Sequence, residues 1–232
     1  MDELGVDELR DQYKAQKMKT VAVVVAHPDD ETLWAGGTIL SQTSWRCFII
    51  TLCRANDSDR APKFFRALGR LGADGNMGDL DDGSEQIPLN EAELQETILG
   101  LLPQTHFDLV ISHSPAGEYT RHRRHEEIGS AVISLWQAGR LSTDELRTFA
   151  YEDGGKRYRP RPIKRASVYT TLPEEIWQKK YSIITDTYGF EKNGFEAETT
   201  PRAEAFWRFT SSVDAHDWVE NKSFKYESSD LV

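Results

Sequence analysis

The sequence predicts an α/β fold in which a mostly parallel sheet carries helices on both faces. Three strands are predicted at Val21–Ala26, Cys47–Cys53 and Phe107–Ser112, and the first is a continuous apolar run, typical of a strand buried on both faces. Segments with helical spacing separate these strands, and such alternation indicates βαβ units. A chain of 232 residues most often makes one domain, so a single domain over residues 1–232 is expected.

The remaining elements follow from local spacing. Helices are predicted over residues 32–41, 60–71, 91–102, 126–137 and 173–184, and a further strand over 166–171. Within the first helix, Gly36 and Gly37 would allow close packing. Asn90 is a favourable cap for the third helix, which Pro103 would end. The basic stretch 154–162 predicts a surface loop, with a domain hinge as the alternative.

Composition excludes several classes of protein. With 38 acidic and 28 basic residues the formal charge is -10, which argues against general affinity for nucleic acid or anionic lipid. No apolar run approaches the ~18 residues of a membrane span, and the first twenty residues lack a signal-peptide core. A cytoplasmic location is therefore expected. An aromatic content of 10% leaves room for an apolar interface, so a homo-oligomer stays open.

Only two cysteines are present, Cys47 and Cys53. Two thiols are too few for a disulfide framework or for a four-thiolate zinc site. Because both lie in one apolar segment, we expect buried structural thiols.

Polar side chains stand where three of the predicted strands end. The first strand ends at His27, the second at Arg54 and the third at His113. In open α/β sheets, ligands bind outside the carboxyl ends of the strands. This placement predicts a polar active site at that edge of the sheet.

The first candidate constellation is the run His27-Pro28-Asp29-Asp30-Glu31. It places an imidazole and two carboxylates within a few residues, and Pro28 favours a turn there. The imidazole and one carboxylate can face a metal ion, which leaves the other carboxylate to act as a general base. The alternative is an acid-rich helix N-terminus that interacts favourably with the helix dipole.

The second candidate constellation contains His122 and His125, which share one face of a helical turn because they are three residues apart. Histidine serves as a metal ligand and as a proton carrier near neutral pH. The alternative is an exposed charged turn. Two histidines and one carboxylate suit zinc, and they also suit ferrous iron or another divalent metal.

Two segments carry a resemblance to a known family. The run AHPDDETLWAGGTIL over 26–40 and the later GEY followed by His122-x-x-His125 resemble the signatures of the PIG-L/LmbE-like deacetylases. The resemblance extends over residues 20–190 and leaves 191–232 as a C-terminal extension. It implies a Rossmann-like sheet and a zinc-dependent enzyme that removes an acyl group from an amino sugar.

The resemblance also implies roles for individual residues. His27, Asp30 and His125 would hold zinc, and Asp29 would be the general base. His122 would stabilise the oxyanion, in a protonated form, or protonate the leaving amine. Substrate contacts are implied for Arg54, Asp82, Glu118 and Tyr119.

The sequence departs from the family pattern in two places: the spacing from Tyr119 to His122 is one residue longer than in many relatives, and a carboxylate is missing beside the metal site. Where relatives often have H-P-D-H, this chain has His122-Arg123-Arg124-His125, so one carboxylate is missing. A nearby Arg124 would lower the basicity of His122. Glu118, Glu126 or Glu127 could supply a carboxylate instead.

The expected function is removal of an N-acetyl or other acyl group from a small amino-sugar derivative. The alternatives are an amidase that cleaves a larger acyl or thiol conjugate, and a non-catalytic binding module on the same fold. A nucleotide-binding protein is disfavoured because no Gly-rich loop follows the first strand. Arginines could form a positive rim for an anionic substrate, or only a solvated basic turn; they are Arg54, Arg121, Arg123 and Arg124.

Overall fold

The computed structural model describes residues 18–120 and 122–221, so residues 1–17, Arg121 and the end of the C-terminal extension lie outside it. A seven-stranded sheet forms its centre. Across the sheet the strands stand in the order Val168–Thr171 (β10), Ala203–Phe209 (β11), Leu146–Phe149 (β7), Leu109–Ser112 (β5), Lys19–Val25 (β1), Trp45–Thr51 (β2) and Asp74–Met77 (β3).

Most neighbouring strands are parallel. β1 pairs with β2 and β5 in parallel, as do β2 with β3 and β5 with β7. β11 is antiparallel to both of its neighbours, β7 and β10. The predicted α/β class with a mostly parallel sheet is confirmed. Two small pairs of strands flank the sheet: His106–Phe107 (β4) with Ser142–Thr143 (β6), and Tyr151–Glu152 (β8) with Arg161–Pro162 (β9).

Helices cover both faces of the sheet. They are Asp30–Leu40 (α1), Arg60–Leu71 (α2), Glu91–Leu101 (α3), Arg123–Gln137 (α4), Glu174–Ser182 (α5), Phe195–Thr199 (α6) and Ser212–Glu220 (α7), with a π-helical turn over Ile183–Thr187. Alternate residues of β1 face opposite ways, so Val21, Val23 and Val25 pack with α1 and α2, whereas Ala22 and Val24 pack with α3 and α4.

Several sequence expectations can be compared with these elements. Cys47 and Cys53 are free and buried, as expected, and burial raises the pKa of each thiol to about 12. A Cβ on Gly37 would lie 2.4 Å from Leu172 Cδ1, which confirms close packing of α1 at this point. The basic stretch 154–162 forms the exposed turn of the β8–β9 pair. In the described part of the chain, no helix is long and apolar enough to cross a membrane.

Two strands of the sheet were not anticipated. Both β7 and β11 contain charged residues and lack the continuous apolar run of β1. β11 belongs to the predicted C-terminal extension, yet it lies between β7 and β10 inside the sheet. Helix α4 starts at Arg123, three residues earlier than expected, so His125 lies in its first turn.

The order of the strands shows where a ligand-binding edge of the sheet is expected. From β1 the chain proceeds through β2 and β3 on one side, and then through β5 and β7 on the other side. The connections therefore diverge between β1 and β5, which is the point where open α/β sheets bind ligands. His27 and His113 stand just beyond the carboxyl ends of these two strands.

Candidate active site

The turn after β1 holds Asp29 in an unusual backbone conformation. Its φ is 119° and its ψ is -30°, a region that residues other than glycine rarely adopt. The buried Glu31 accepts a hydrogen bond of 3.0 Å from the Asp29 N–H, and its other oxygen accepts one of 2.8 Å from the Tyr188 hydroxyl. A buried carboxylate thus fixes the strained turn and starts α1 at Asp30.

Three potential metal-donor atoms converge at the edge of the sheet. His27 Nδ1 lies 3.2 Å from Asp30 Oδ2, and His125 Nε2 lies 3.4 Å from each of these two atoms. Tetrahedral zinc with bonds of about 2.0–2.1 Å holds its donor atoms about 3.3 Å apart. The donors and their spacing therefore fit a zinc ion, and they bring together the three residues that the sequence predicts as ligands.

Carboxylates lie behind both histidines of this set. His27 Nε2 is 3.2 Å from Asp82 Oδ1, and His125 Nδ1 is 2.5 Å from Glu118 Oε2. Carboxylates beside metal-binding histidines orient them and raise their basicity. The His125–Glu118 contact is a hydrogen bond, whereas the His27–Asp82 contact is an ion-pair distance without hydrogen-bond alignment. Burial alone would raise the pKa of Glu118, but His113 and His125 lower it to about 2, so this carboxyl group is ionised.

Asp30 is also held on both of its oxygens. Oδ1 accepts a hydrogen bond of 3.0 Å from Trp34 Nε1, and Oδ2 accepts one of 2.9 Å from the His27 N–H. Burial would raise its pKa, yet the neighbouring His125 and His113 hold the pKa well below the usual value. Asp30 is therefore a fixed carboxylate.

His113 lies beside this set, although its nitrogens are already engaged. Nε2 accepts a hydrogen bond of 3.0 Å from the Ala26 N–H, and Nδ1 lies 2.9 Å from Glu118 Oε2. Its ring stacks on that of His125 at 3.8 Å. His113 thus supports His125 and the end of β1, a role for which its position at a strand end was the only sequence signal.

His122 faces the cavity above the donor atoms. Its ring lies 4.7 Å from His27 and stacks on His125 at 4.2 Å, and its buried Nδ1 has no hydrogen-bond partner among the described residues. Burial, together with the His125 and His27 imidazoles, lowers the pKa of His122 to about 3. The neutral imidazole is therefore the favoured form, which differs from the protonated form expected from the sequence.

Asp29 points into the same cavity. Burial raises its pKa well above the usual value, as does the adjacent Asp30, while Arg60 opposes the shift. Arg60 Nη1 lies 3.5 Å from Asp29 Oδ2, and its guanidinium group stacks over the Phe190 ring at 4.7 Å. Sequence reasoning missed Arg60, because nothing in its spacing connects it with the HPDDE run.

The cavity itself has a volume of about 210 Å³ and opens at the carboxyl ends of the strands. Metal-donor, acidic, basic and aromatic side chains line it. They are His27, Pro28, Asp29, Asp30, Leu33, Trp34, Arg54, Arg60, Asp82, Tyr119, His122, Phe195 and Glu196. The arrangement can hold a divalent cation at its floor beside a carboxylate base and a histidine.

The chain also matches known proteins. Residues 22–136 match the family model PIG-L, described as GlcNAc-PI de-N-acetylase. The chain carries a PIG-L family domain. A curated relative, an uncharacterised protein of Acanthamoeba polyphaga mimivirus, is 24% identical over 187 residues, which cover 75% of this chain and 78% of that protein.

Solved structures share the fold of this chain at low sequence identity. A deacetylase of teicoplanin biosynthesis has a TM-score of 0.58 at 14% identity and covers 83% of this chain and 98% of its own. The 4-carboxy-2-hydroxymuconate hydratase of Pseudomonas putida has a TM-score of 0.57 at 15% identity, covering 84% and 97%. A conserved protein of Thermus thermophilus has a TM-score of 0.56 at 18% identity, covering 82% and 94%. These likenesses show a common fold.

Part of the cavity lies outside the matched PIG-L segment. Phe195 and Glu196 come from α6, and Tyr188, which supports Glu31, follows the π-helical turn. These residues were not predicted, because they lie beyond the last segment with a recognisable motif.

Two expectations about the PIG-L site need correction. Glu118 was expected to contact substrate, but it is 0% exposed and its oxygens accept hydrogen bonds from His113, His125 and the Ser114 N–H. It therefore lies beneath the cavity. By contrast, Arg54, Asp82 and Tyr119 do line the cavity.

The second concerns the arginines, for which the sequence left open a positive rim or a solvated basic turn. Arg124 is fully buried and its guanidinium group is bonded within the protein, so it is not available to a substrate. Arg123 does not line the cavity and Arg121 lies outside the described residues. Arg54 alone remains from the predicted set, and it already donates to Asp82 at 2.6 and 3.0 Å.

Proposed function

We propose that this chain is a zinc-dependent hydrolase that removes an N-acetyl group, or another acyl group, from a small amino-sugar derivative. The observation that carries the proposal is the convergence of His27 Nδ1, Asp30 Oδ2 and His125 Nε2 at 3.2–3.4 Å. Its PIG-L domain belongs to a family described by de-N-acetylation, which supports the reaction class. A zinc ion in this set would supply Lewis-acid chemistry, which polarises a carbonyl group and acidifies water.

The residues around the donor set can perform the proton transfers of amide hydrolysis. Asp29 faces the cavity, and a carboxylate with a raised pKa is a better proton acceptor than an ordinary aspartate. His122 can donate an N–H to the oxygen that gains charge as the amide carbon becomes tetrahedral. The leaving amine then takes the proton that Asp29 accepted, because a neutral His122 has no acidic proton to give.

Substrate would be held by the cavity wall. Arg54 and Asp82 offer a donor and an acceptor within one ion pair, and Glu196 adds a carboxylate suited to sugar hydroxyls. Tyr119 packs edge-on against Phe195 at 5.4 Å, so an aromatic surface lies beside these polar groups. A polar ring with hydroxyl groups on its edges fits this combination.

The rival functions make different demands on the site. A non-catalytic module would not need the strained, buried Asp29 beside the donor set. The amidase alternative differs in the substrate alone: the same amine would carry a larger acyl or thiol conjugate in place of an acetyl group. The fold also occurs in a hydratase, so the fold alone does not select amide hydrolysis.

The test is a panel of N-acetylated amino sugars with free acetate as the readout. Purified protein is assayed as isolated, after removal of metal with a chelator, and after addition of Zn²⁺, Fe²⁺ or another divalent ion in turn. We expect acetate release that chelation abolishes and one metal restores. A parallel panel of amines with longer acyl groups identifies the amidase alternative.

Asp29→Asn is the matched variant for this assay. It should retain bound metal and lose about 10²–10⁴-fold in turnover, because it removes the proton acceptor but no metal donor. Loss of metal in Asp29→Asn would instead show that Asp29 and Asp30 have exchanged roles. Metal-independent acetate release, or none from any substrate, would contradict the proposed function.

A further inference from the structure

A fully buried arginine connects the start of α4 with the loop that carries Asp82. Arg124 is 0% exposed, and its guanidinium group donates at 2.5 Å to the Asp81 carbonyl and at 2.7 Å to the Ile87 carbonyl. It also donates at 3.1 Å to Asp81 Oδ2 and at 2.6 Å to Glu127 Oε2. Burying a charged group is costly unless it is fully paired, and here the pairing is extensive.

These bonds hold both ends of one loop. Residues 81–89 leave the sheet after β3 and return at α3, and Arg124 bonds to the loop near its entry and its exit. Glu127, one turn further along α4, accepts a hydrogen bond of 3.2 Å from the Leu89 N–H. The start of α4 therefore contacts both ends of the loop, through the cation of Arg124 and the anion of Glu127.

The loop has little else to fix its shape. Most of its residues are exposed, including Ile87 at 64%, so burial of apolar surface contributes little there. Gln86 has a φ of 46°, which is unfavourable for a residue other than glycine. Without the guanidinium group, the loop would be held mainly by hydrogen bonds at its surface.

The helix itself does not explain the position of Arg124. The positive end of a helix dipole disfavours a cation in the first turn, and Arg124 is the second residue of α4. The related motif H-P-D-H carries aspartate at this position. Arg124 neither lines the cavity nor stabilises the helix terminus, so its role in the structure lies in its contacts with the loop.

The loop places Asp82 beside the metal-donor set. Asp82 Oδ1 lies 3.2 Å from His27 Nε2 and accepts a hydrogen bond of 3.2 Å from Gln86 Nε2, while Oδ2 accepts from Arg54. We propose that Arg124 is a positioning residue that fixes the 81–89 loop, so that Asp82 orients His27 for metal binding. This inference rests on the proposed function.

The experiment measures the Zn²⁺ dissociation constant by competition with a chelator, in wild type, Arg124→Met, Asp82→Ala and the double variant. Loss of a group that orients a metal ligand weakens metal binding by about 10–100-fold. We expect this loss in each single variant. The double variant should bind zinc no more weakly than Asp82→Ala, because Arg124 acts through Asp82.

Two further variants separate positioning from general stability. Arg147→Met removes another paired and largely buried cation, bonded to Glu145 at 2.6 Å and away from the cavity, and should leave zinc affinity unchanged. Arg124→Lys keeps the charge but cannot serve two carbonyl groups and a carboxylate at once, so it should restore zinc affinity only in part. Should Arg124→Met fail to fold, Arg124→Lys carries the test, with an expected several-fold loss.

Hydrogen exchange of the 81–89 peptide in metal-free protein gives a second readout. We expect at least tenfold faster exchange in Arg124→Met and no change in Arg147→Met. Faster exchange with unchanged zinc affinity would make Arg124 a structural clamp only and overturn the proposal, as would multiplicative losses in the double variant. If wild type binds zinc and releases acetate, and the variants bind zinc as tightly as wild type, this inference alone is overturned. If wild type binds no zinc, the proposed function is overturned as well.

Discussion

At the scale of single residues, the site depends on carboxylates with different partners. Asp30 and Glu118 lie against imidazoles that keep them ionised. Burial and the neighbouring Asp30 raise the pKa of Asp29, and Arg60 and His27 oppose that rise without reversing it. Pairs of acids whose environments separate their pKa values mark acid–base assignments in enzymes. The proposed division between metal ligand and general base therefore agrees with the electrostatics of the turn.

Tyr188 provides a test of how the strained turn supports Asp29. Tyr188→Phe removes the 2.8 Å hydrogen bond to Glu31, which in turn holds the Asp29 N–H. We expect a loss of about 1–3 kcal/mol in stability, because a buried carboxylate loses a donor. Turnover should fall while metal content stays constant, and chemical denaturation, acetate release and metal analysis measure these three quantities.

Tyr151→Phe is the control for that prediction. It also removes a buried hydrogen bond, of 2.9 Å to the Trp34 carbonyl, but does not contact Glu31. It should cost comparable stability and leave turnover near that of wild type. Equal losses of turnover in the two variants would show that the turn does not depend on Tyr188.

At the scale of elements, helix α1 is joined to the sheet by a buried glutamate, Glu204, which also forms an ion pair with Lys180. Glu204 of β11 accepts hydrogen bonds from the Gly37 and Thr38 N–H groups, at 2.8 and 2.6 Å, and from Lys180 Nζ at 2.6 Å. Both charged side chains are 0% exposed. Because α1 begins with the proposed ligand Asp30, this contact connects the C-terminal strand with the site.

Glu204→Gln should therefore be strongly destabilising. It leaves the Lys180 ammonium group buried without a counter-charge, which costs about 3–5 kcal/mol when one partner of a buried pair is removed. Unfolding in urea measures the loss. The double variant Glu204→Gln/Lys180→Met should recover part of it, and simple additivity of the two single losses would contradict a coupled pair.

The same strand shows where sequence reasoning reaches its limit. β1, β2 and β5 are predictable because strands covered on both faces need mostly apolar residues. β11 contains a buried Glu204 whose partner, Lys180, is 24 residues away, and no local pattern reveals that pairing. Likewise the family resemblance implied which residues would hold the metal, but nothing in the sequence indicated that Glu118 contacts two histidines or that Arg124 lies buried.

At the scale of the whole molecule, several carboxyl groups of this acidic chain lie together at the site. Asp29, Asp30, Glu31 and Glu118 are all buried within a short distance of the donor set, and Asp82 lies on the cavity wall. Among the described residues, Arg54 and Arg60 are the guanidinium groups that line the cavity. Carboxylates thus outnumber fixed cations, and a bound divalent ion would relieve the repulsion between them.

Zinc should consequently stabilise the folded chain. A ligand that binds only the native state adds about 2.7 kcal/mol at one hundred times its Kd, which raises Tm by about 5–10 °C for a chain of this size. Thermal unfolding of metal-free protein with increasing Zn²⁺ measures the shift. His125→Ala is the comparison, because it removes one donor of the native set. It keeps both cysteines and the other histidines, so any binding of zinc to the unfolded chain stays nearly the same. The shift should nearly vanish in His125→Ala, and an equal shift in the two proteins would mean that zinc binds elsewhere.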